Sequence, residues 1–252
     1  MKSKIIDEKK NELKILLSNA DFETANSIRR ACSNLVLTMA IEDVEIKENN
    51  SALYDEFLAH RLGLIPLSTD LKTYNKKSDC KCKGVGCARC VCEFVLEKKG
   101  PCIVYAKDLI SSDNKIVPIY PETPIVKLFE NQEVKLIAKA MLNNGDYHIK
   151  HSPGNIYYKF KPEIKLLSKN KSLDDVCPKK IFKNGEIDSD KLLDCNLCLA
   201  CSDAYSKNVS VNPSKDIILI IESWEQLSAK EIFNTALNEL SNELEEIKKS
   251  LK

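Results

Sequence analysis

Residues 25–67 read ANSIRRACSNLVLTMAIEDVEIKENNSALYDEFLAHRLGLIPL, and this stretch predicts a helix, a strand and a second helix. In its first part, apolar side chains recur at spacings of three and four residues, as on one face of a helix. These residues are Ala25, Ile28, Cys32 and Leu35. Residues 41–49 then alternate between apolar and charged side chains, as in a half-buried strand. Since residues 12–17 also predict a strand, this end of the chain favours a fold that mixes helices with sheet.

The second helix of this stretch is predicted from its start and stop signals. Asp55 can accept hydrogen bonds from the free amides of the first turn, and Gly63 can adopt the left-handed conformation that often ends a helix. Pro66 prevents the helix from continuing.

The middle of the chain, from about residue 91 to residue 160, changes to an alternating pattern that predicts sheet. Strands are predicted in residues 91–105, with a turn at Lys98–Pro101, and again in residues 134–142 and 156–164. This region should therefore be mostly sheet.

The C-terminal segment predicts a long helix with a narrow apolar seam. Ser228 and Glu231 have the spacing of a capping box, which marks the start of the helix. Beyond it, apolar residues recur at alternating spacings of four and three: Phe233, Leu237, Leu240, Leu244, Ile247 and Leu251. A seam of this kind requires a partner helix, either within this chain or on another one.

The composition excludes several classes of protein. The chain has 252 residues, 43% of them hydrophobic, and 38 Lys and Arg balance 37 Asp and Glu, giving a net charge of +1. This balance does not favour charge-driven binding to DNA or to an anionic membrane. No stretch approaches the roughly 18 apolar residues of a spanning helix, and the first residues lack the apolar core of a signal peptide. We expect a cytoplasmic protein.

Eleven cysteines are present, and nine of them fall in two groups. Clustered thiols in a reducing compartment hold metal more often than they form disulfides. Cys32 and Cys102 stand alone and are expected to pack as small hydrophobic residues.

The second group follows one half of the ligand pattern of a two-cluster ferredoxin. In that pattern, C-x2-C-x2-C-x3-C-P is repeated, and the last cysteine of each half binds the cluster of the other half. Here the ligand set of one cluster is absent, because positions 167, 170, 173 and 205 hold Leu, Asn, Leu and Tyr. The complete set of the other cluster is present: Cys177, Cys195, Cys198 and Cys201. The pattern predicts one 4Fe-4S cluster, with an oxidised 3Fe-4S form as the other option for the isolated protein; a four-cysteine zinc site is the alternative.

The first group lies in residues 80–92, which read CKCKGVGCARCVC. Four of its cysteines can close a structural zinc site in a loop with little apolar material: Cys80, Cys82, Cys87 and Cys90. A thiol-rich loop without metal is the alternative. Cys92 lies on the predicted inward face of the next strand and is expected to pack there.

The sequence contains no recognisable catalytic motif. Walker A, G-x-G-x-x-G, H-E-x-x-H and G-x-S-x-G patterns are all absent. Residues 19–25, NADFETA, have acidic residues at positions 21 and 23, but Ala25 stands where a third magnesium ligand would be needed. We expect no catalytic residue on this chain.

Several segments together resemble a known family. Residues 25–67, residues 151–164 (HSPGNIYYKFKPEI) and the cysteine pattern of residues 177–201 are similar to the archaeal D-type component of DNA-directed RNA polymerase. That component is the counterpart of the third-largest subunit of eukaryotic RNA polymerase II and of the N-terminal domain of the bacterial alpha subunit. The similarity covers most of the chain.

The resemblance implies an α+β fold with three parts. Residues 1–40 and 208–252 would form the alpha-type dimerisation domain. Residues 41–170 would form an inserted sheet-rich domain, and residues 171–207 a ferredoxin-like iron-sulfur domain. The loop with Cys80 to Cys90 lies where eukaryotic members bind zinc.

The resemblance also implies a role in transcription as a non-catalytic assembly subunit of a nucleotidyltransferase. The chain would form a heterodimer with the small L subunit, and the N and P subunits and the second-largest catalytic subunit would then join. DNA would be contacted only through the assembled complex, and no membrane is involved. The implied dimer interface comprises Ile28, Cys32, Leu35, Phe233, Leu237, Leu240, Leu244 and Ile247.

The cysteine pattern of residues 177–201, taken alone, supports a second interpretation, a ferredoxin-type electron-transfer subunit. Electron relay requires a second redox centre within reach, and the ligands of the other ferredoxin cluster are missing. The assembly subunit is therefore the preferred interpretation.

Overall fold

The computed structural model describes residues 1–251, which form a mixed α and β structure with antiparallel sheets. The five helices are α1 (Phe22–Asn34), α2 (Asp55–Gly63), α3 (Leu173–Val176), α4 (Ala200–Ala204) and α5 (Ala229–Ser250). The first six strands are β1 (Lys2–Glu8), β2 (Glu12–Ser18), β3 (Thr38–Asn49), β4 (Cys92–Lys99), β5 (Cys102–Tyr105) and β6 (Ile110–Ser111). The other six are β7 (Pro124–Leu128), β8 (Glu133–Asn143), β9 (Gly154–Leu166), β10 (Phe182–Lys183), β11 (Glu186–Ile187) and β12 (Val209–Ser223).

The chain divides into two compact units. The first contains residues 1–8, 13–29 and 157–220, and the second contains residues 9–12, 30–156 and the chain from Ile221 onward. The division into three domains that the resemblance implies stays a prediction.

The first unit holds most of a four-stranded sheet in the order β1-β2-β12-β9. β1 and β2 pair in antiparallel fashion, and the alternating burial of β2 places Leu13, Ile15 and Leu17 inside. Between β9 and β12 the chain forms α3, the β10-β11 hairpin and α4. The small core of this segment is built from Leu173, Ile181, Phe182, Val209, Val211, Cys177, Cys195 and Cys201.

The second unit contains a four-stranded sheet in the order β3-β8-β4-β6 and the two-stranded sheet β5-β7. Ala138 of β8 faces Val44 of β3 on one side and Phe94 of β4 on the other. Because successive side chains of a strand point to opposite faces, β4 buries Cys92, Phe94 and Leu96. Leu58 and Leu62 of α2 join the same core.

The start of α5 agrees with the predicted capping box. The Ser228 hydroxyl accepts a hydrogen bond from the Glu231 amide at 3.3 Å, and the Glu231 carboxylate accepts one from the Ser228 amide at 3.0 Å. Only the first two turns contribute buried residues, and every residue from 241 to 250 is exposed. Neither α5 nor any other helix of the described residues has the length and apolar composition needed to cross a membrane.

The predicted ends of α2 are wrong in detail. Asp55 is the first helical residue, and its carboxylate accepts a hydrogen bond from the Asn49 side chain at 2.7 Å, so it does not cap the helix. At the other end, Gly63 is still helical and Leu64 follows with φ −91°. The helix therefore ends without a left-handed glycine.

Candidate metal centres

The first cysteine group lies on the loop that leads into β4, and its thiols converge. The Sγ atoms of Cys80 and Cys87 are 3.6 Å apart, those of Cys82 and Cys90 are 3.6 Å apart, and those of Cys87 and Cys90 are 3.8 Å apart. All four Sγ atoms lie within 4.8 Å of one another. These four cysteines could bind a metal ion.

The spacing of these sulfur atoms fits a single tetrahedral ion. With Zn–S bonds of about 2.3 Å and tetrahedral angles, the sulfur atoms of a zinc site are about 3.8 Å apart. The Sγ–Sγ distances of 3.6 and 3.8 Å are close to that value. The donor set therefore suits Zn²⁺ in size and in ligand type.

The backbone of the loop makes this convergence possible. Gly84 and Gly86 have φ values of +81° and +102°, a region that L side chains rarely adopt. The Cys87 amide donates a hydrogen bond to the Cys90 Sγ at 3.2 Å. The glycines of CKGVGC thus reverse the chain between the two pairs of cysteines.

The thiols of this group differ in their acidity. The Gly86 amide, which donates to the sulfur, lowers the pKa of the Cys82 thiol to about 6, whereas burial raises the pKa of Cys90 to about 12. Zinc binds thiolates, so its binding to this set releases protons. A metal ion bound by these four thiols would therefore be released as the pH falls.

Cys92 and Cys102, which lie in strands of the second unit, are not part of this group. Cys92 is fully buried, and its Sγ lies 3.4 Å from the Ser111 hydroxyl and 3.5 Å from the Ser112 hydroxyl. The Cys102 thiol donates to the Lys99 carbonyl at 3.4 Å.

The second cysteine group lies in the segment between β9 and β12. Cys177 follows α3, Cys195 follows a short 3-10 turn (Leu192–Asp194), and Cys201 lies in α4. These three are buried in the small core of the segment, whereas Cys198 is exposed. In the described part of the chain, four Sγ atoms lie within 4.8 Å of one another only in the first group.

The thiols of the second group influence one another's pKa, although no three of their Sγ atoms lie within 4.8 Å of one another. Burial raises the pKa of the Cys195 thiol, and the nearby Cys177 and Cys198 raise it further. Burial and then Cys177 raise the pKa of Cys201. The thiols of this group therefore disfavour one another's thiolate forms.

The backbone around Cys198 is strained. Leu197 and Leu199 have φ values of 58° and 62°, a region that costs about 1 kcal/mol or more for a bulky residue. The Leu197 amide donates a hydrogen bond to the Cys195 Sγ at 3.4 Å. The left-handed residues flank Cys198 and turn the loop back toward the buried cysteines.

The donor set of this group fits an iron-sulfur cluster. Four thiolates are the usual ligands of a 4Fe-4S cluster, and backbone amides that donate to the sulfurs are a means of tuning it. Each thiolate of such a cluster binds a different iron, so the sulfurs stand further apart than around one ion. A cluster therefore does not require the tight sulfur spacing of the first group.

The structure also places the residues of the predicted dimer interface. Ile28 and Cys32 of α1 are buried within the chain itself, and burial raises the pKa of Cys32 to about 12. Leu35, Phe233 and Leu240 are half-buried, whereas Leu237, Leu244 and Ile247 are exposed. The exposed part of the set is therefore on α5, and the interface as a whole stays a prediction.

Two features of the structure have no signal in the sequence. Lys159 of β9 contacts the loop of the second cysteine group, and His151 is fully buried beside Glu42 and Lys150. Both depend on contacts between distant residues, and no local pattern indicates them.

Comparison with known proteins agrees with this architecture. Residues 44–157 match the family model described as the RNA polymerase Rpb3/RpoA insert domain. The chain is 35% identical over 256 residues to DNA-directed RNA polymerase subunit Rpo3 of Archaeoglobus fulgidus, covering 97% of this chain and 96% of the relative. It is 36% identical to the protein of the same name from Methanosarcina mazei, covering 98% and 97%, and 34% identical to that from Methanopyrus kandleri, covering 94% and 90%.

Proposed function

The chain belongs to the Rpo3 family of DNA-directed RNA polymerase subunits, and we propose that it is a non-catalytic assembly subunit of that polymerase. It acts in transcription as part of a nucleotidyltransferase complex. The observation that carries the proposal is the apolar seam of α5, which the chain leaves exposed. Leu244 and Ile247 are 60% and 57% exposed, although both lie on one face of a long helix.

The partner of this seam is a helix of the small L subunit. Such a narrow seam buries its side chains only against another helix. The two subunits then form a heterodimer through the dimerisation domain, to which α1 and α5 belong. Ile28 and Cys32 of α1 belong to the proposed interface set, and both are buried within the chain.

The heterodimer is the platform on which the rest of the polymerase assembles in the cytoplasm. The N and P subunits and the second-largest catalytic subunit bind to it, and DNA is contacted only through the assembled complex. The inserted sheet-rich domain and the iron-sulfur domain supply surfaces of this platform. The chain itself contributes no catalytic residue.

The two cysteine groups have structural roles in this proposal. Cys80, Cys82, Cys87 and Cys90 hold zinc, which closes a loop that has little apolar material of its own. Cys177, Cys195, Cys198 and Cys201 hold one iron-sulfur cluster, either 4Fe-4S or its oxidised 3Fe-4S form. The cluster supplies folding free energy to a segment whose own core is small.

The test replaces Cys195, Cys198 and Cys201 together by Ser in the full chain. We expect loss of iron and sulfide, reduced heterodimer formation with the L subunit and reduced assembly of the polymerase, measured by co-purification. Cys102→Ser is the matched control, because Cys102 lies in neither group. Unchanged assembly together with loss of an electron-transfer activity would instead support a ferredoxin-type protein.

A further inference from the structure

Lys159 contacts the loop that carries Cys195. It lies in β9, and its ammonium group donates hydrogen bonds to the carbonyl of Leu193 at 2.5 Å and to the carbonyl of Cys195 at 3.1 Å. The 3-10 turn Leu192–Asp194 ends directly before Cys195, and carbonyls at the end of such a turn lack backbone donors. One side chain therefore satisfies two carbonyls at the point where the cysteine loop begins.

The ammonium group of Lys159 forms no ion pair with a carboxylate, although the charge of nearby Asp194 acts on it. In the described part of the chain, no carboxylate oxygen lies within 4.0 Å of its Nζ atom. The neighbouring Lys161, two residues further along the same strand, lies 3.6 Å from the carboxylate of Asp216 instead. Lys159 is only partly exposed; burial lowers the pKa of its ammonium group, and the charges of Asp194 and then Cys195 oppose that shift.

We infer that Lys159 is a positioning residue for the iron-sulfur cluster: it anchors the Cys195 loop to β9 and places a positive charge at the backbone of a ligand cysteine. This inference rests on the cluster proposed above.

Two consequences follow from this contact. First, the hydrogen bonds restrain the Cys195 peptide, and loss of a charged hydrogen bond lets the ligand loop move away from the metal. Second, charge near a cluster is one of the factors that set its reduction potential. Since reduction adds negative charge to the cluster, the ammonium group favours the reduced form.

The experiment compares three variants of the anaerobically purified full chain in complex with its polymerase partners. Lys159→Met removes both the donors and the charge, Lys159→Arg retains both, and Lys161→Met is the control on the same strand. The two readouts are the rate of iron release to a chelator and the midpoint potential of the cluster retained. Circular dichroism and the zinc content of the Cys80–Cys90 group report whether each variant has folded.

We expect Lys159→Met to release iron about ten- to a hundredfold faster than wild type, the effect of losing a charged hydrogen bond, and to have a lower midpoint potential. Lys159→Arg and Lys161→Met should stay close to wild type in both measurements. Wild-type values for Lys159→Met, an equal effect of Lys161→Met, or no rescue by Arg would each overturn the inference. A wild-type chain without iron and sulfide would overturn the proposed cluster as well, so the two failures are distinguishable.

Discussion

His151 is fully buried and has one of its two ring nitrogens without a hydrogen-bond partner. Its Nδ1 lies 3.0 Å from the carbonyl oxygen of Thr38, and since a carbonyl only accepts, Nδ1 carries the proton. Nε2 faces a carboxylate oxygen of Glu42 at 3.6 Å. Burial opposes ionisation of Glu42, but the Lys150 ammonium at 2.6 Å outweighs it and lowers the pKa of this carboxyl.

We predict that His151 makes the folded chain sensitive to acid. Burial lowers the pKa of His151 below the ordinary value of 6.5, so the unfolded chain binds a proton that the folded chain does not. Below pH 6.5, this one group should therefore decrease the free energy of unfolding by up to about 1.4 kcal/mol per pH unit, until the folded pKa is reached. The decrease should be smaller in His151→Gln, measured by urea unfolding at pH 7 and pH 5.5.

An independent measurement checks the sign of this effect. An NMR titration, with the His151 signal assigned by its absence in His151→Gln, should give a pKa below 6.5. A pKa at or above 6.5 would contradict the prediction, because the histidine would then stabilise the fold in acid.

At the loop of residues 80–90, we predict that Cys90→Ser abolishes zinc binding and that Cys92→Ser does not. The Sγ of Cys90 is within 3.8 Å of two other thiols, whereas that of Cys92 contacts serine hydroxyls. Zinc per chain, measured by elemental analysis, should fall from one to near zero only in Cys90→Ser. It should also fall in the wild type on acidification, since thiols must lose their protons to bind. Equal loss of zinc in both variants would assign Cys92 to the site.

At the scale of elements, α5 depends on its first turn for a defined start. We predict that Ser228→Ala lowers the free energy of unfolding by about 1 kcal/mol, because the Glu231 amide loses its acceptor. Ser241→Ala is the control, since Ser241 is exposed in the helix interior, where Ala is the better helix former. Thermal unfolding should separate the two variants, and equal melting temperatures would show that the capping box contributes nothing.

The apolar seam of α5 should govern pairing rather than folding. We predict that Leu244→Asp prevents heterodimer formation with the L subunit but leaves the secondary structure of the isolated chain unchanged, because Leu244 is 60% exposed. Asn242→Asp adds the same charge about 200° around the helix and should pair normally. Size-exclusion chromatography with multi-angle light scattering gives the mass of each complex. Normal pairing of Leu244→Asp would exclude the seam as the interface.

The elements with a strong local pattern could be predicted from the sequence. In these elements, the apolar periodicity or the capping residues lie within a few positions of one another along the sequence. They are β2, α1, most strands of the second unit and α5. β1 could not be predicted because its sequence KSKIIDE is mostly charged and exposed, and it is a strand only through pairing with β2. β12 could not be predicted because polar residues and Pro213 interrupt its first half.

In the candidate sites, too, local patterns could be predicted from the sequence and contacts between distant residues could not. Spacing alone identifies both cysteine groups, since metal ligands on one loop lie close in sequence. Lys159 could not be predicted, because it contacts backbone carbonyls that lie 34 and 36 residues further along the chain. Such contacts depend on how distant strands and loops pair in the fold. The periodicity of the sequence does not indicate that pairing.

At the scale of the whole molecule, the proposal assigns two roles to parts of the chain. The two cysteine groups stabilise weakly packed segments, and the exposed apolar seam of α5 binds a partner subunit. Under this proposal, a cluster held by Cys177, Cys195, Cys198 and Cys201 has a structural role and needs no second centre of an electron relay. Assembly also explains how a chain of net charge +1 takes part in transcription, since DNA contact belongs to the whole complex.

The assembly role is tested most directly by reconstituting the polymerase from its purified subunits with and without this chain and measuring the mass of the product by native mass spectrometry. We predict that a complex containing both large catalytic subunits forms only when this chain and the L subunit are present together. Assembly of the catalytic subunits to the same extent without this chain would contradict the proposed role.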